Sequence, residues 1–156
     1  MQGGVSEILL VMLAGALAAV MVGDLRSRTI PNGLTLAIAL AAIPFWWLSD
    51  LSLWPDVAIR IGVAAAVFAL FAAAFALGQM GGGDVKLVSA VALWLPPQAV
   101  LVLLVLMSIA GGVLTLVMLA RHRLTRSTAT LEIPYGVAIA FAGLWLIGER
   151  FLNQFG

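Results

Sequence analysis

The sequence contains no cysteine and a single histidine, His122. The absence of thiols excludes disulfide bonds and thiolate metal sites, and one histidine is too few for a histidine-rich metal centre. Charged residues make up only 10% of the chain, the net charge is +1, and the basic residues lie between apolar runs rather than in a patch with aromatic residues. The sequence therefore gives no support for nucleic-acid binding, and we predict neither a metal nor a cofactor.

Hydrophobic residues dominate the rest of the sequence: they form 63% of its 156 residues, and the mean hydropathy is +1.16. Soluble proteins do not reach this composition. We predict an all-α polytopic membrane protein, because helices of about 20 apolar residues cross a bilayer core about 30 Å thick. We expect one transmembrane domain over residues 1–156. The first apolar stretch, residues 8–23, is expected to be a retained span, since no lysine or arginine precedes it.

Six apolar segments are predicted, over residues 5–23, 34–53, 57–78, 85–95, 98–120 and 134–152. The fourth and fifth are joined by a stretch without charge, residues 87–120, which as one helix would extend about 51 Å, too long for a single span. Pro96 and Pro97 break this stretch, because proline lacks an amide donor and the residue before it avoids the helical conformation. The sequence thus predicts six transmembrane helices with a short fourth helix.

Positive charge is distributed unequally between the two sides of this six-helix arrangement. The basic residues of the first, third and fifth loops are Arg26, Arg28, Lys86, Arg121, Arg123 and Arg126. The opposite side receives only Arg60 and Arg150. Because lysine and arginine in short loops favour the cytoplasm, we predict that these three loops are cytoplasmic and that both termini lie outside. Asp24 and Asp84 then lie at the same, cytoplasmic edge of the membrane.

Asp24 and Asp84 are the residues that point to chemistry. A carboxylate at membrane depth is costly and is retained mainly where it faces a polar cavity or a partner. Ionising both carboxyl groups in one confined site has a high electrostatic free-energy cost, so one keeps its proton while the other stays charged. The charged group can take a proton from a water that attacks a peptide carbonyl, and the neutral group can donate a hydrogen bond to the carbonyl oxygen. Since a helix N-terminus favours an anion and a C-terminus disfavours it, we predict Asp84 as the base and Asp24 as the acid.

Each of these features also has a simpler explanation. The glycines at 81–83 would serve helix packing or loop flexibility as well as the approach of an extended substrate, and Asp24 alone would be an ordinary solvated charge at the interface. Together with Glu132, the aspartates would also suit a proton-coupled transporter or channel subunit. A non-catalytic subunit of a secretion assembly is the third alternative. The position of the acids at one edge, instead of in steps through the bilayer, favours an enzyme.

Three blocks of sequence resemble the signature of a known family. They are residues 24–35 (DLRSRTIPNGLT), residues 81–87 (GGGDVKL) and residues 133–136 (IPYG). In order and spacing they are similar to the type IV prepilin peptidases, and the likeness covers essentially the whole chain. The resemblance implies that Asp24 and Asp84 are the catalytic pair, which are the two residues that the residue chemistry had already selected.

The resemblance also implies a function. Such an enzyme removes the short basic leader from prepilins or pseudopilins at the cytoplasmic face of the bacterial inner membrane, just before their hydrophobic segment. The compact form is similar to the stand-alone peptidases of tight-adherence (Flp) pilus systems, and archaeal preflagellin peptidases are compact as well. Larger, bifunctional members carry a cysteine tetrad and N-methylate the new terminus; since this chain has no cysteine, methyltransferase activity is not predicted. The oligomeric state stays open.

Eight further residues are predicted to bind substrate or to shape the site: Gly81, Gly83, Lys86, Pro31, Asn32, Pro134, Tyr135 and Gly136. Lys86 would pair with substrate or with phosphate head groups, or favour the charged form of Asp84, and an ordinary positive-inside anchor is the alternative. Pro31 and Asn32 would shape the start of the second helix, and residues 134–136 the start of the sixth. Residues of these types begin helices in many proteins, which is their structural alternative.

The topology can be tested directly because the chain has no cysteine of its own. Single cysteines introduced at Ser27 and Gln79 should react with a membrane-impermeant maleimide only after the inner membrane is opened. A cysteine at Ser52 should react while the inner membrane is intact. Labelling of either of the first two positions from the periplasmic side would contradict the predicted orientation.

Overall fold

The computed structural model describes residues 2–125 and 133–154, and in these ranges the chain consists of helices joined by short loops. The helices are α1 (Gln2–Ser27), α2 (Asn32–Leu48), α3 (Ala58–Ala76), α4 (Gly82–Ala92), α5 (Pro97–Thr125) and α6 (Tyr135–Gln154). A five-residue π-turn, Leu53–Val57, leads into α3. The predicted all-α fold with a short fourth helix is confirmed for these ranges.

The helices differ in their capacity to cross a membrane. By length and composition, the described residues contain four candidate spans: Gly4–Ser27, Leu53–Ala76, Pro97–Leu124 and Tyr135–Asn153. α2 is a shorter apolar helix of 17 residues, and α4 has only 11. At about 1.5 Å per residue, α4 extends about 16 Å, roughly half the thickness of the hydrocarbon core. α4 is therefore too short to cross the bilayer, and Asp84 in its first turn lies outside the candidate spans.

The predicted boundaries hold at the prolines and shift at the end of the first helix. α4 ends before Pro96, and α5 begins at Pro97, as expected for a residue that fits the first position of a helix. α1, in contrast, continues to Ser27, one turn beyond the predicted apolar run. Its last turn is polar, and the Ser27 hydroxyl donates a hydrogen bond of 2.9 Å to the carbonyl of Gly23. Asp24 is therefore part of α1 and does not follow it.

Two helices, α4 and α6, form the interior of the bundle. α4 packs against α2, α3 and α6, whereas α6 packs against α1, α4 and α5. Leu87 of α4 and Ile139 of α6 are fully buried, as are Leu17 of α1 and Leu103 of α5. The outer helices expose large apolar side chains such as Trp47, which is 84% exposed. Lipid contact makes such an exposed apolar surface favourable in a membrane protein.

The C-terminal end of the short helix α4 is capped by side chains. Trp46 donates its indole N–H to the carbonyl of Leu93 at 2.9 Å, and Arg60 donates to the carbonyl of Trp94 at 2.8 Å. Trp94 in turn donates its indole N–H to the carbonyl of Ile38 at 3.0 Å. The last carbonyls of a helix have no partner within the helix, and water is scarce at membrane depth. These bonds provide partners for carbonyl groups where α4 ends.

Two residues named in the sequence analysis, Arg126 and Glu132, lie outside the described residues.

Candidate active site

An open cavity of about 660 Å³ lies at one end of the helices. The loop between α1 and α2, the loop between α3 and α4, and the start of α6 all contribute to its lining. Asp24 and Asp84 both line it. The three sequence blocks singled out above, which are far apart along the chain, therefore meet around one cavity.

Asp24 lies in the last turn of α1 and is only 4% exposed. Its Oδ2 atom accepts a hydrogen bond from the backbone N–H of Val137, at a distance of 3.1 Å. Val137 is the third residue of α6, so the carboxylate of Asp24 caps the N-terminus of another helix. The free N–H groups and the helix dipole at such a terminus stabilise a negative charge.

Gly136 makes this close approach possible. A Cβ atom at this position would lie 2.8 Å from Oδ2 of Asp24 and 2.7 Å from Cδ1 of Ile30. Both distances are far shorter than normal van der Waals contacts. Only glycine lets the backbone of α6 come near enough for the N–H of Val137 to reach the carboxylate of Asp24.

Asp84 is the third residue of α4, and its side chain turns back toward the start of its own helix. A Cβ atom on Gly81 would lie 2.9 Å from Oδ2 of Asp84. Burial, followed by the negative charge of Asp24, raises the pKa of Asp84 to about 6, while a hydrogen bond from the Gly81 backbone acts in the opposite direction. A negative charge on Asp24 therefore favours the protonated form of Asp84.

The sequence-based argument for which aspartate carries the proton took only part of this arrangement into account. That argument considered only the helix to which each residue belongs, and it placed Asp24 at an unfavourable C-terminus. In the structure Asp24 meets the N-terminus of α6 and receives an N–H from it. Burial, and after it the charge of Asp24, raises the pKa of Asp84 to about 6. These contacts support, as a hypothesis, the opposite assignment of an ionised Asp24 and a protonated Asp84.

The other predicted residues fall into two groups. Gly81, Gly83, Asn32, Pro134 and Tyr135 line the cavity. Lys86 and Pro31 do not belong to the lining described for it. Pro31 instead precedes the first residue of α2 in an extended conformation.

Lys86 has a different partner from the ones that the sequence suggested. Its ammonium group donates a hydrogen bond of 2.9 Å to the side-chain oxygen of Asn32. This bond ties the start of α4 to the start of α2. The expected roles of Lys86 toward substrate, lipid phosphate or Asp84 stay predictions beside this observed link between two helices.

Two contributors to the site were missed by the sequence analysis. Ile30 packs against Gly83, where a Cβ atom would lie 3.3 Å from Cβ of Ile30, and it also contacts Gly136. Ile30 belongs to the first sequence block, and this position could have suggested that it contributes to the site. Val137 contributes a backbone N–H, for which a sequence carries no side-chain signal.

The described residues contain no group of three or more His, Asp or Glu side chains arranged to hold a metal ion. The chemical groups that the cavity offers are the two carboxyl groups, backbone N–H groups and the side chains of the surrounding loops.

A protein-family model described as the type IV leader peptidase family matches residues 11–116. This match covers more than half of the chain and contains both Asp24 and Asp84. The chain belongs to the type IV leader peptidase family. Searches of curated proteins and of solved structures found no match. Helix α6 lies beyond the matched residues, so its contact with Asp24 is known from the structure and not from the family match.

We predict that Gly136→Ala lowers the peptidase activity by about 100-fold, because misplacing a reacting group by about 1 Å can have an effect of this size. Gly148→Ala is a matched control on the same helix, since a Cβ atom there meets nothing within 4 Å. The rate of leader cleavage should be measured for both variants at equal amounts in the membrane. Wild-type activity in Gly136→Ala would show that the close contact between α6 and Asp24 is not needed.

Proposed function

We propose that this member of the type IV leader peptidase family is an aspartic endopeptidase. Its substrates are prepilins of the tight-adherence (Flp) type or pseudopilins, whose leader it removes at the cytoplasmic face of the bacterial inner membrane. The observation that carries the proposal is the meeting of the Asp24 and Asp84 carboxyl groups at one open cavity. Membership of the leader peptidase family supports hydrolysis of a leader peptide. The position of Asp24 and Asp84 at one end of the helices supports cleavage at the membrane surface.

In the proposed mechanism, the ionised carboxylate of Asp24 takes a proton from a water molecule as its oxygen attacks the scissile carbonyl carbon. The protonated carboxyl group of Asp84 transfers its proton to the carbonyl oxygen, which gives a neutral tetrahedral diol. On collapse, the C–N bond breaks, and the leaving nitrogen takes the proton held by Asp24. Asp84 regains a proton from the hydroxyl that becomes the new carboxyl carbonyl. Both aspartates thus return to their initial states.

The surroundings of each carboxyl group support this division of roles. The N–H of Val137 stabilises negative charge on Asp24. Asp84 is buried beside that charge, with its pKa raised to about 6, so it holds a proton more readily than an ordinary aspartate. Two neighbouring carboxyl groups in different environments are the usual basis of a paired acid and base.

The open cavity beside Asp84 supports binding of an extended peptide. Gly81 and Gly83 line it, and their missing side chains make room for the Asp84 carboxyl group and for Ile30. A transporter or an assembly subunit would not need such a surface. The observation that speaks most directly against these alternatives is membership of a leader peptidase family.

Asp24→Asn and Asp84→Asn should each reduce prepilin processing by at least about 100-fold, since one acid or base group commonly contributes this much. Asp50→Asn is the matched control. Asp50 lies beyond α2, away from the cavity, and has a positive φ of 52°, which asparagine tolerates well. Processing is read as the mobility shift of a co-expressed prepilin, with each variant's membrane level measured. Normal processing by the double variant would favour transport or assembly.

The rate constant kcat/KM should fall as the pH rises through about 6. Asp84 must be protonated at rest in the proposed mechanism, and its pKa is about 6, so the competent fraction decreases on the alkaline side. Removing the charge in Asp24→Asn should lower the pKa of Asp84, which isotope-edited infrared spectra of the carboxyl group can follow without any turnover. A rate that instead rises between pH 6 and 8 would restore the opposite roles, with Asp84 as the base.

A further inference from the structure

A second groove, of about 510 Å³, lies between α2 and α3, with α4 as its floor. α2 and α3 each contribute four residues at the spacing i, i+3, i+4 and i+7, beginning at Asn32 and Ile61. α4, together with Leu93 directly after it, contributes four more at the same spacing. This spacing selects one face of each helix. Seven residues of helix rise by about 10 Å, so the groove is about two helical turns long.

The surface of this groove suits a helix. Small side chains such as Ala39, Ala65 and Ala90 line it, and small residues let a second helix backbone come close in a membrane. Larger apolar side chains stand at its edges: Leu36 is 59% exposed and Phe68 is 47% exposed. An apolar helix that inserts residues at i, i+3, i+4 and i+7 is the usual partner of such a groove.

The groove adjoins the active-site cavity. Asn32 lines both of them, and the hydrogen bond from Lys86 to Asn32 lies where they meet. The polar residues of the groove gather at this end, because α2 and α4 both begin there. Away from the cavity the lining becomes apolar, with residues such as Ala39 and Leu93. A polypeptide that runs from the aspartates into the groove would pass from a polar to an apolar environment.

We propose that this groove binds the apolar helical segment that follows the scissile bond of the substrate. The proposal rests on the proposed function, which supplies a substrate with a polar leader on one side of the cut and an apolar segment on the other. The polar cavity at Asp24 and Asp84 holds the scissile bond. The groove between α2 and α3 holds the first two turns of the apolar helix, and so fixes which bond reaches the aspartates.

Ala65→Phe tests the proposal by filling the groove. Ala65 is exposed on α3 and lines the groove, whereas its neighbour Ala66 is equally an exposed alanine but does not belong to that lining. Ala66→Phe is therefore the matched control. Two substrates are compared: a full prepilin, and a soluble peptide that spans the cleavage site but lacks the apolar segment.

We expect Ala65→Phe to raise KM for the full prepilin by about tenfold, the effect of a modest steric penalty. KM for the short peptide, and kcat for both substrates, should stay near the wild-type values. Ala66→Phe should behave as wild type with both substrates. An equal rise in KM for both substrates would mean a general distortion of the enzyme and would overturn the proposal.

Photo-crosslinking provides an independent readout of binding. Benzoylphenylalanine at position 65 should form a crosslink to the apolar segment of the prepilin, and the same group at position 66 should not. Crosslinks at both positions, or at 65 to lipid alone, would overturn the groove proposal while leaving the peptidase intact if the wild type still removes the leader. If the wild type neither cleaves nor crosslinks any prepilin, the proposed function itself fails, and the groove proposal fails with it.

Discussion

The site depends on one contact, in which the carboxylate of Asp24 accepts the backbone N–H of Val137 at the start of α6. Asp24 is almost fully buried, and a buried anion without a hydrogen-bond donor is strongly unfavourable. Helix α6 supplies that donor because Gly136 has no side chain to hold the two backbones apart. The same contact brings the start of α6 to the cavity, so the surroundings of Asp24 and the shape of the cavity depend on each other.

The second constraint is the length of α4. This helix has only 11 residues, with Asp84 in its first turn. The carbonyl groups just after its last turn would be costly to leave unpaired in an apolar environment, and the side chains of Trp46 and Arg60 provide their partners. α2 and α3 stand on either side of this short helix, with the groove between them. The caps at one end of α4 therefore support the chemistry proposed at the other end.

The sequence predicted the fold well where its signals are local. The apolar runs gave the helices, and Pro96 and Pro97 gave the break between α4 and α5, since proline acts on the backbone of its immediate neighbours. The surroundings of each aspartate could not be predicted in the same way. Asp24 was judged by the end of its own helix, whereas the helix that governs it, α6, begins more than a hundred residues later. For Lys86 the sequence offered substrate, lipid or Asp84 as partners, and the structure gives Asn32.

By itself, the sequence determined that this chain is a helical membrane protein, that its acids are few, and that Asp24 and Asp84 lie in the blocks typical of one peptidase family. Hydropathy, proline and charge bias act over a few residues, so they can be recognised without knowing what packs against what. Only the tertiary structure decided which helix end stabilises Asp24, which residue Lys86 holds, and that a groove opens between α2 and α3. Those features arise from contacts between distant segments, where the absence of a side chain at Gly136 matters as much as the presence of one elsewhere.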